Sequence, residues 1–363
     1  MATDAKQLLK LIHQLPITET IRVINVCGGH ERSISQAGLR SILPKNIELI
    51  PGPGCPVCIC PEEDIYHAIQ IALNEEVILL AFGDLFKVPI NTPINGVKTL
   101  DQAKAMGAEI FPIASPIDAV NVAKKNPERT VVFFVAGFET TCAPVAAMLS
   151  EDIPKNLLLL MSGRLTWPAV KLLLDSDKPN FDALIAPGHV ATIMGDEQWR
   201  FVSNEHNIPT AVAGFTSESL LRGLYSVLRQ HLEKNIFLDN CYTEVVQTHG
   251  NLKAQKLLAN VFSIVDASWR GIGIIPNSGY ELTDQLSAHN ARHHFPEYEN
   301  QARKNAGKMP PGCDCAKVIL GQIKPNECVL YGHSCSPKSP VGPCMVSDEG
   351  ACKIWWDSGV SVI

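Results

Sequence analysis

The chain has 363 residues, of which 46% are hydrophobic, 19% charged and 6% aromatic, the composition of a globular protein long enough for two or three domains. Its 31 basic and 37 acidic residues give a formal charge of −6, which leaves no basic stripe to attract nucleic acid or an anionic membrane. The 12 cysteines are the unusual feature, and in a reducing compartment they point to metal binding, catalysis or thiol exchange rather than to structural disulfides.

The first segment, "MATDAKQLLKLIHQLPITET", carries Asp4, Lys6 and Lys10 and lacks a long apolar core, so neither a signal peptide nor a spanning helix is legible. The expected location is the cytoplasm, with no membrane and no nucleic-acid partner. Residues 1–20 are expected to form a helix that packs on the carboxy-terminal domain.

From residue 21 to about 225 one phrase recurs: a short apolar run, a Gly or Pro turn, then a helix-like stretch. "IRVINVCGGH", "EVILLAFGD", "TVVFFVAGFETT" and "FDALIAPGH" are examples. Continuous aliphatic runs alternating with helices predict parallel sheets covered on both faces. The expected architecture is α/β, with two Rossmann-like domains at 21–118 and 119–228, followed by an irregular, mostly helical iron-sulfur domain at 229–363. The recurrence of "AGFETT" and "AGFTSE" hints at related strand-turn-helix corners within one domain. No Walker loop or Gly-x-Gly-x-x-Gly fingerprint appears, so a nucleotide site is not indicated.

"CGGHE" follows the first apolar run. Cys27 precedes what reads as a helix start, where free N–H groups, the helix dipole and a protonated His30 are expected to lower its pKa. "PGPGCPVC" follows the second run and holds Cys55 and Cys58 at the spacing of a reversible disulfide or a bidentate metal grip. Crevices in such sheets open at the carboxyl ends of strands, so three thiols are expected at one mouth.

Asp84, Glu139, Thr140, Thr141 and His189 also fall at strand ends, as site residues or as helix caps; for Thr140 and Thr141 capping is the preferred reading. His289, His293 and His294 have helical metal-pair spacing but read as a solvated face.

The carboxy-terminal stretch places Cys315, Cys328, Cys335 and Cys352 with twelve, six and sixteen residues between them. Four thiolates suit a [4Fe-4S] cluster or zinc; only Cys313 and Cys315 form a close pair, which favours iron-sulfur. Cys313 and Cys344 are left as spares, and His333 as a loop hydrogen bond or a further ligand.

"CGGHE", "PGPGCPVC", "GFETT" and this cysteine tail together resemble the HypD family of [NiFe]-hydrogenase maturation proteins, over nearly the whole chain. The resemblance implies a scaffold for assembly of the Fe(CN)2CO centre. Cys27 would be the ligand to that transient iron, His30 and Glu31 would shape its site, and Glu139 of "GFETT" joins them among the functional residues. Cys55 and Cys58 would be a thiol/disulfide pair, and Cys315, Cys328, Cys335 and Cys352 the [4Fe-4S] ligands. The implied partners are a HypC-type small chaperone and a HypE-type cyanide donor. Two other readings compete: a [4Fe-4S]-dependent thiol-disulfide oxidoreductase resembling ferredoxin-thioredoxin reductase, and a zinc-stapled binding protein. Cys60, Cys142 and Cys241 lie outside these motifs.

Overall fold

The computed structural model describes residues 4–175, 179–299 and 308–360. The recurrent apolar runs form two sheets. The first is parallel throughout and contains β1 (Ile21–Asn25), β2 (Ile47–Pro51), β7 (Ala183–Pro187), β8 (Thr210–Ala213) and β9 (Leu238–Asn240), in the order β2-β1-β7-β8-β9. The second holds β3 (Val77–Phe82), β4 (Ile110–Ile113), β5 (Thr130–Gly137), β6 (Leu157–Arg164), β10 (Phe262–Trp269) and β11 (Gly273–Leu282), in the order β10-β11-β6-β5-β3-β4. Strands β3 to β6 are parallel, and the β10–β11 hairpin adds antiparallel to β6. Every residue of β6 is buried and all but the first of β5, as expected of central strands covered on both faces.

The architecture is thus α/β with two sheets and a cysteine-rich carboxy-terminal region, but the chain does not complete one sheet before starting the other. β1 is flanked by β2 and by β7, with Val23 opposite Ala183, so the first sheet closes only when residues 183–240 return to it. The boundary expected at 118/119 falls inside the second sheet, between β4 and β5. The boundary expected at 228/229 also fails, because β9 joins the first sheet and β10 and β11 the second. The hairpin escaped the sequence pattern because β10 is buried at only three of its eight positions and offers no continuous apolar run. The "AGFETT" and "AGFTSE" corners likewise belong to different sheets, after β5 and after β8.

The amino-terminal helix α1 (Ala5–His13) is also placed otherwise than expected. Its apolar stripe, Leu8 and Ile12, packs with Ile21, Val23, Leu221 and Leu224 in the core under the first sheet, against the helix Ser217–Glu233. An amphipathic helix docks where an apolar face lies open, and that face belongs to the first sheet rather than to the cysteine-rich region.

That region packs on one face of the second sheet. Val318, Ile319, Tyr331, Met345 and Trp355 share a core with Leu79, Phe134 and Leu160, and with the Cys55–Cys60 segment. Its elements are short: the helices Cys315–Ile319 and Ala351–Asp357, with 3-10 turns at Pro325–Glu327 and Pro343–Met345. Among the described residues no helix is long and apolar enough to cross a membrane.

Ile12 is fully buried, so Ile12→Ala should cost about 2–5 kcal/mol of stability. Urea unfolding would read this as a lowered midpoint; an unchanged midpoint would mean that α1 does not dock on the first sheet in solution.

Candidate functional site

The site is built at the carboxyl end of β1. Cys27 leaves the strand in an extended conformation and forms the N-cap of α2 (Gly28–Gln36). The two glycines after it are required by close approach. A Cβ on Gly28 would lie 2.4 Å from the Cβ of Glu349, and one on Gly29 would lie 2.9 Å from the Phe215 ring and 3.5 Å from Cys27 Sγ. The Gly28 N–H donates to the carbonyl of Gly54 at 3.0 Å, which joins "CGGHE" to "PGPGCPVC" directly. One small cavity is lined by Cys27, Cys55, Cys344, Glu31 and Glu349 among others.

Cys55 and Cys58 form a disulfide across one turn, with Cα atoms 5.3 Å apart and both residues buried. Of the three thiols expected at one mouth, Cys27 and Cys55 line this cavity, and Cys58 is bonded to Cys55 outside its lining.

The electrostatics differ from the expectation. Burial pushes the Cys27 thiol up to about 12, with the Glu349 carboxylate adding to the rise, while the N–H groups of His30 and Gly29 pull the other way. The dipole effect exists but loses to desolvation. His30 is fully buried and its pKa falls to about 4, first through burial. Its Nε2 lies 2.9 Å from the Ala213 carbonyl, which fixes the tautomer with the proton on Nε2, and its buried Nδ1 has no partner. His30 is neutral and gives Cys27 no positive charge.

Glu31 is buried and fully engaged: it accepts from Asn25 Nδ2 at 2.9 Å, Arg40 Nη2 at 2.8 Å and Trp355 Nε1 at 2.6 Å. His189, exposed at the end of β7, stacks on Phe215 at 3.8 Å, and Phe215 lies 4.7 Å from the His30 ring. This aromatic stack packs over Gly29, next to Cys27 in the chain. Sequence reasoning missed Phe215 and Glu349. Glu349 is partly desolvated at the rim, with its pKa raised to about 6 by that desolvation and then by Asp84. Asp84 accepts from Ser347 Oγ at 3.0 Å and from the Asp348 N–H at 3.2 Å, and so holds the loop that presents Glu349. "SDEGAC", an acidic run inside the cysteine tail, was the available signal.

Glu139 lies elsewhere. At the end of β5 it accepts from the Thr166 N–H at 2.8 Å and from Thr166 Oγ1 at 2.6 Å, and it does not line the Cys27 cavity. Thr140 and Thr141 are not side-chain caps; Phe138 holds the N-cap position, and Thr141 packs over Gly137. The histidines of "HNARHHF" do not form a metal pair: His289 Nδ1 meets the Leu157 carbonyl and His294 Nε2 the Ala288 carbonyl. Cys60, Cys142 and Cys241 are buried.

In the tail, the sulfur atoms of Cys315, Cys344 and Cys352 lie within 4.8 Å of one another, all buried. Cys313 Sγ is 3.2 Å from Cys315 Sγ, and a Cβ on Gly342 would lie 2.4 and 2.5 Å from these two sulfurs. Cys335 Sγ accepts from the Val341 N–H at 3.4 Å, beside the same pair. Cys344, left as a spare by the spacing, joins Cys315 and Cys352 in this close group, while Cys328 and Cys335 are buried in the same core. The choice by spacing passed over Cys344 because a 3-10 turn brings it back next to Cys352. A buried, thiol-only donor set fits a soft metal or an iron-sulfur cluster.

Between pH 6.5 and 4 the unfolded chain binds a proton at His30 that the native state refuses, so native stability falls as pH falls through this window. The loss is on the order of 3 kcal/mol at one site. Wild type should lose that much more than His30→Gln between pH 7 and 4 in urea titrations; parallel curves would contradict a buried, neutral His30.

The comparisons with known proteins agree with the sequence motifs. The HypD family, described as "Hydrogenase formation hypA family", matches residues 3–359. The hydrogenase maturation factor HypD of Escherichia coli is 38% identical over 341 residues, covering 93% of this chain and 88% of that protein. HypD of Rhodobacter capsulatus is 36% identical over 361 residues, covering 97% and 94%. A putative hydrogenase expression/formation protein of Methanocaldococcus jannaschii is 35% identical over 344 residues, covering 93% and 92%. With matches of this extent to hydrogenase maturation factors, the chain belongs to the HypD family.

Proposed function

We propose that this protein is the scaffold on which the Fe(CN)2CO unit of [NiFe]-hydrogenases is assembled in the cytoplasm. Iron is the cargo, held on Cys27 together with a thiol of a HypC-type partner, and cyanide arrives through a HypE-type donor. The single observation that carries this reading is the cavity that Cys27, Cys55 and Cys344 share, since it brings the iron-binding thiol, the disulfide and the sulfur group of the tail to one place.

The chemistry of Cys27 supports a loading site. A thiol with a pKa of about 12 is a poor nucleophile at neutral pH, but coordination to a metal removes its proton outright. Cys27 then becomes a soft thiolate only when iron arrives, and the adjacent Glu349 carboxylate is placed to take the proton. His30 and Phe215 keep that side of the site apolar, while Glu31 holds the turn. Glu139 acts in the second sheet by fixing Thr166.

Cys315, Cys344 and Cys352 would hold a [4Fe-4S] cluster, with the fourth thiolate from Cys313 or Cys335. Such a cluster, when bound, supplies electrons one at a time. Opening the Cys55–Cys58 bridge takes two electrons and two protons and yields two thiols beside Cys27. The same bridge beside the tail sulfurs also favours the oxidoreductase reading, in which disulfide reduction is itself the activity and Cys27 is incidental.

Anaerobic purification with the partner, followed by infrared spectroscopy of the cyanide and carbonyl stretches, separates the two. Bands in wild type should vanish in Cys27→Ala. Bands that persist would leave iron held elsewhere and favour the oxidoreductase. A second expectation concerns the tail: Cys344→Ser should lose at least as much bound iron and sulfide as Cys315→Ser. Full loading of Cys344→Ser would return the ligand set to the spacing pattern with Cys328.

A further inference from the structure

Arg270 follows β10 and opens the turn into β11, and its side chain is 1% exposed. A guanidinium is always charged, and burying one is costly unless its five N–H donors find acceptors. Here only Nη2 does so, with the Pro89 carbonyl at 2.7 Å and Asn91 Oδ1 at 3.3 Å. Nε and Nη1 are buried without any hydrogen-bond partner. Glu62 is the acid whose field Arg270 feels most.

The position of these idle donors is informative. The Arg270 N–H donates to the Ile59 carbonyl at 3.0 Å, one residue beyond the Cys55–Cys58 bridge. On the other side the turn closes on the tail: a Cβ on Gly271 would lie 2.9 Å from the Cβ of Ala316, the residue next to Cys315. After Glu62, the groups that act on the Arg270 charge are the thiols of Cys60, Cys315 and Cys313. The backbone at Arg270 and Gly271 is therefore held between the disulfide segment and the tail, and the buried guanidinium, bonded to Pro89 and Asn91, keeps two donors unused within the field of the tail thiols.

We propose that Arg270 keeps its Nε and Nη1 donors for the sulfur atoms of the centre carried by Cys315, Cys344 and Cys352, and that its fixed charge sets how readily that centre accepts an electron. The proposal rests on reading the group as a [4Fe-4S] site. Four thiolates around such a cluster leave a net negative centre that gains one more negative charge on reduction. A buried cation and N–H···S bonds favour the more negative state and raise the midpoint potential. Arg270 is a positioning residue: no bond to it forms or breaks, and the electron comes from an external low-potential donor, dithionite in the test.

The test uses the full chain, reconstituted anaerobically with iron and sulfide after growth on arginine labelled with 15N in the guanidinium. After reduction with dithionite, pulsed EPR of the wild type should show a coupling from arginine 15N. Potentiometric titration should place Arg270→Lys close to wild type. Arg270→Gln, poised at the wild-type midpoint, should show about a tenfold lower ratio of reduced to oxidised cluster, or about 59 mV for one electron. A loaded, reducible cluster without the 15N coupling would overturn the proposal and leave the cluster reading intact. So would equal midpoints in wild type and Arg270→Gln. If Arg270→Gln fails to hold a cluster, the wild-type coupling and the Arg270→Lys midpoint decide. A wild type that binds zinc, or takes up no cluster, would sink the cluster reading and this proposal with it.

Discussion

The buried carboxylate of Glu31 is the constraint on which the site depends. It gives up hydration, and that cost is offset because three donors converge on it, two from nearby in the chain and one from its far end. Asn25 ends β1, Arg40 stands in the short helix Leu39–Ile42, and Trp355 belongs to the last helix, 324 residues away in sequence. The Arg40 guanidinium also lies over the Trp355 ring at 4.8 Å, so the carboxylate, the guanidinium and the indole form one packed unit. Cys27 is four residues before Glu31 and Cys352 three before Trp355. One polar contact thereby fixes the first thiol of the chain relative to the last, and the "E" of "CGGHE" is explained by position rather than by chemistry at iron.

The same economy appears in the topology. Parallel strands present their carboxyl ends to one side, and crevices form there. Because β7 pairs with β1, the loops after β1, β7 and β8 stand side by side, and these loops supply Cys27, His189 and Phe215. The "PGPGCPVC" segment leaves the first sheet after β2 and enters the core of the second, which gives the disulfide one neighbour in each layer. A chain that finished each sheet in turn would not bring the tail and the β1 turn to a common cavity.

These contacts explain what was legible in the sequence and what was not. Local windows give strands and helices well where both faces of a strand are buried, as in β5 and β6, and the turn glycines mark where thiols leave the sheet. Strand order is a long-range property, and nothing in residues 21–118 announces that residues 183–187 will sit beside them. The half-exposed hairpin β10–β11 hides for the complementary reason, since its irregular burial and its Gly, Pro and Ser residues resemble a loop region. The charge state of His30 was misjudged because its burial and its acceptor come from residues 213–215, far along the chain. Cys344 was passed over because spacing counts residues, whereas a 3-10 turn decides which sulfurs meet.

The high pKa of Cys27 and the neutrality of His30 bear on how a thiol stands unpaired in such surroundings. A reactive thiolate at the mouth of a crevice would be alkylated, oxidised, or drawn into exchange with the Cys55–Cys58 bridge that lines the same cavity. A thiol held protonated by desolvation and by Glu349 does none of these until a cation displaces the proton. The two buried side chains of the motif then divide the work: His30 brings no positive charge to Cys27, and Glu31 keeps the turn rigid. A protonated thiol and a closed disulfide thereby stand side by side in one cavity, kept apart by charge state alone.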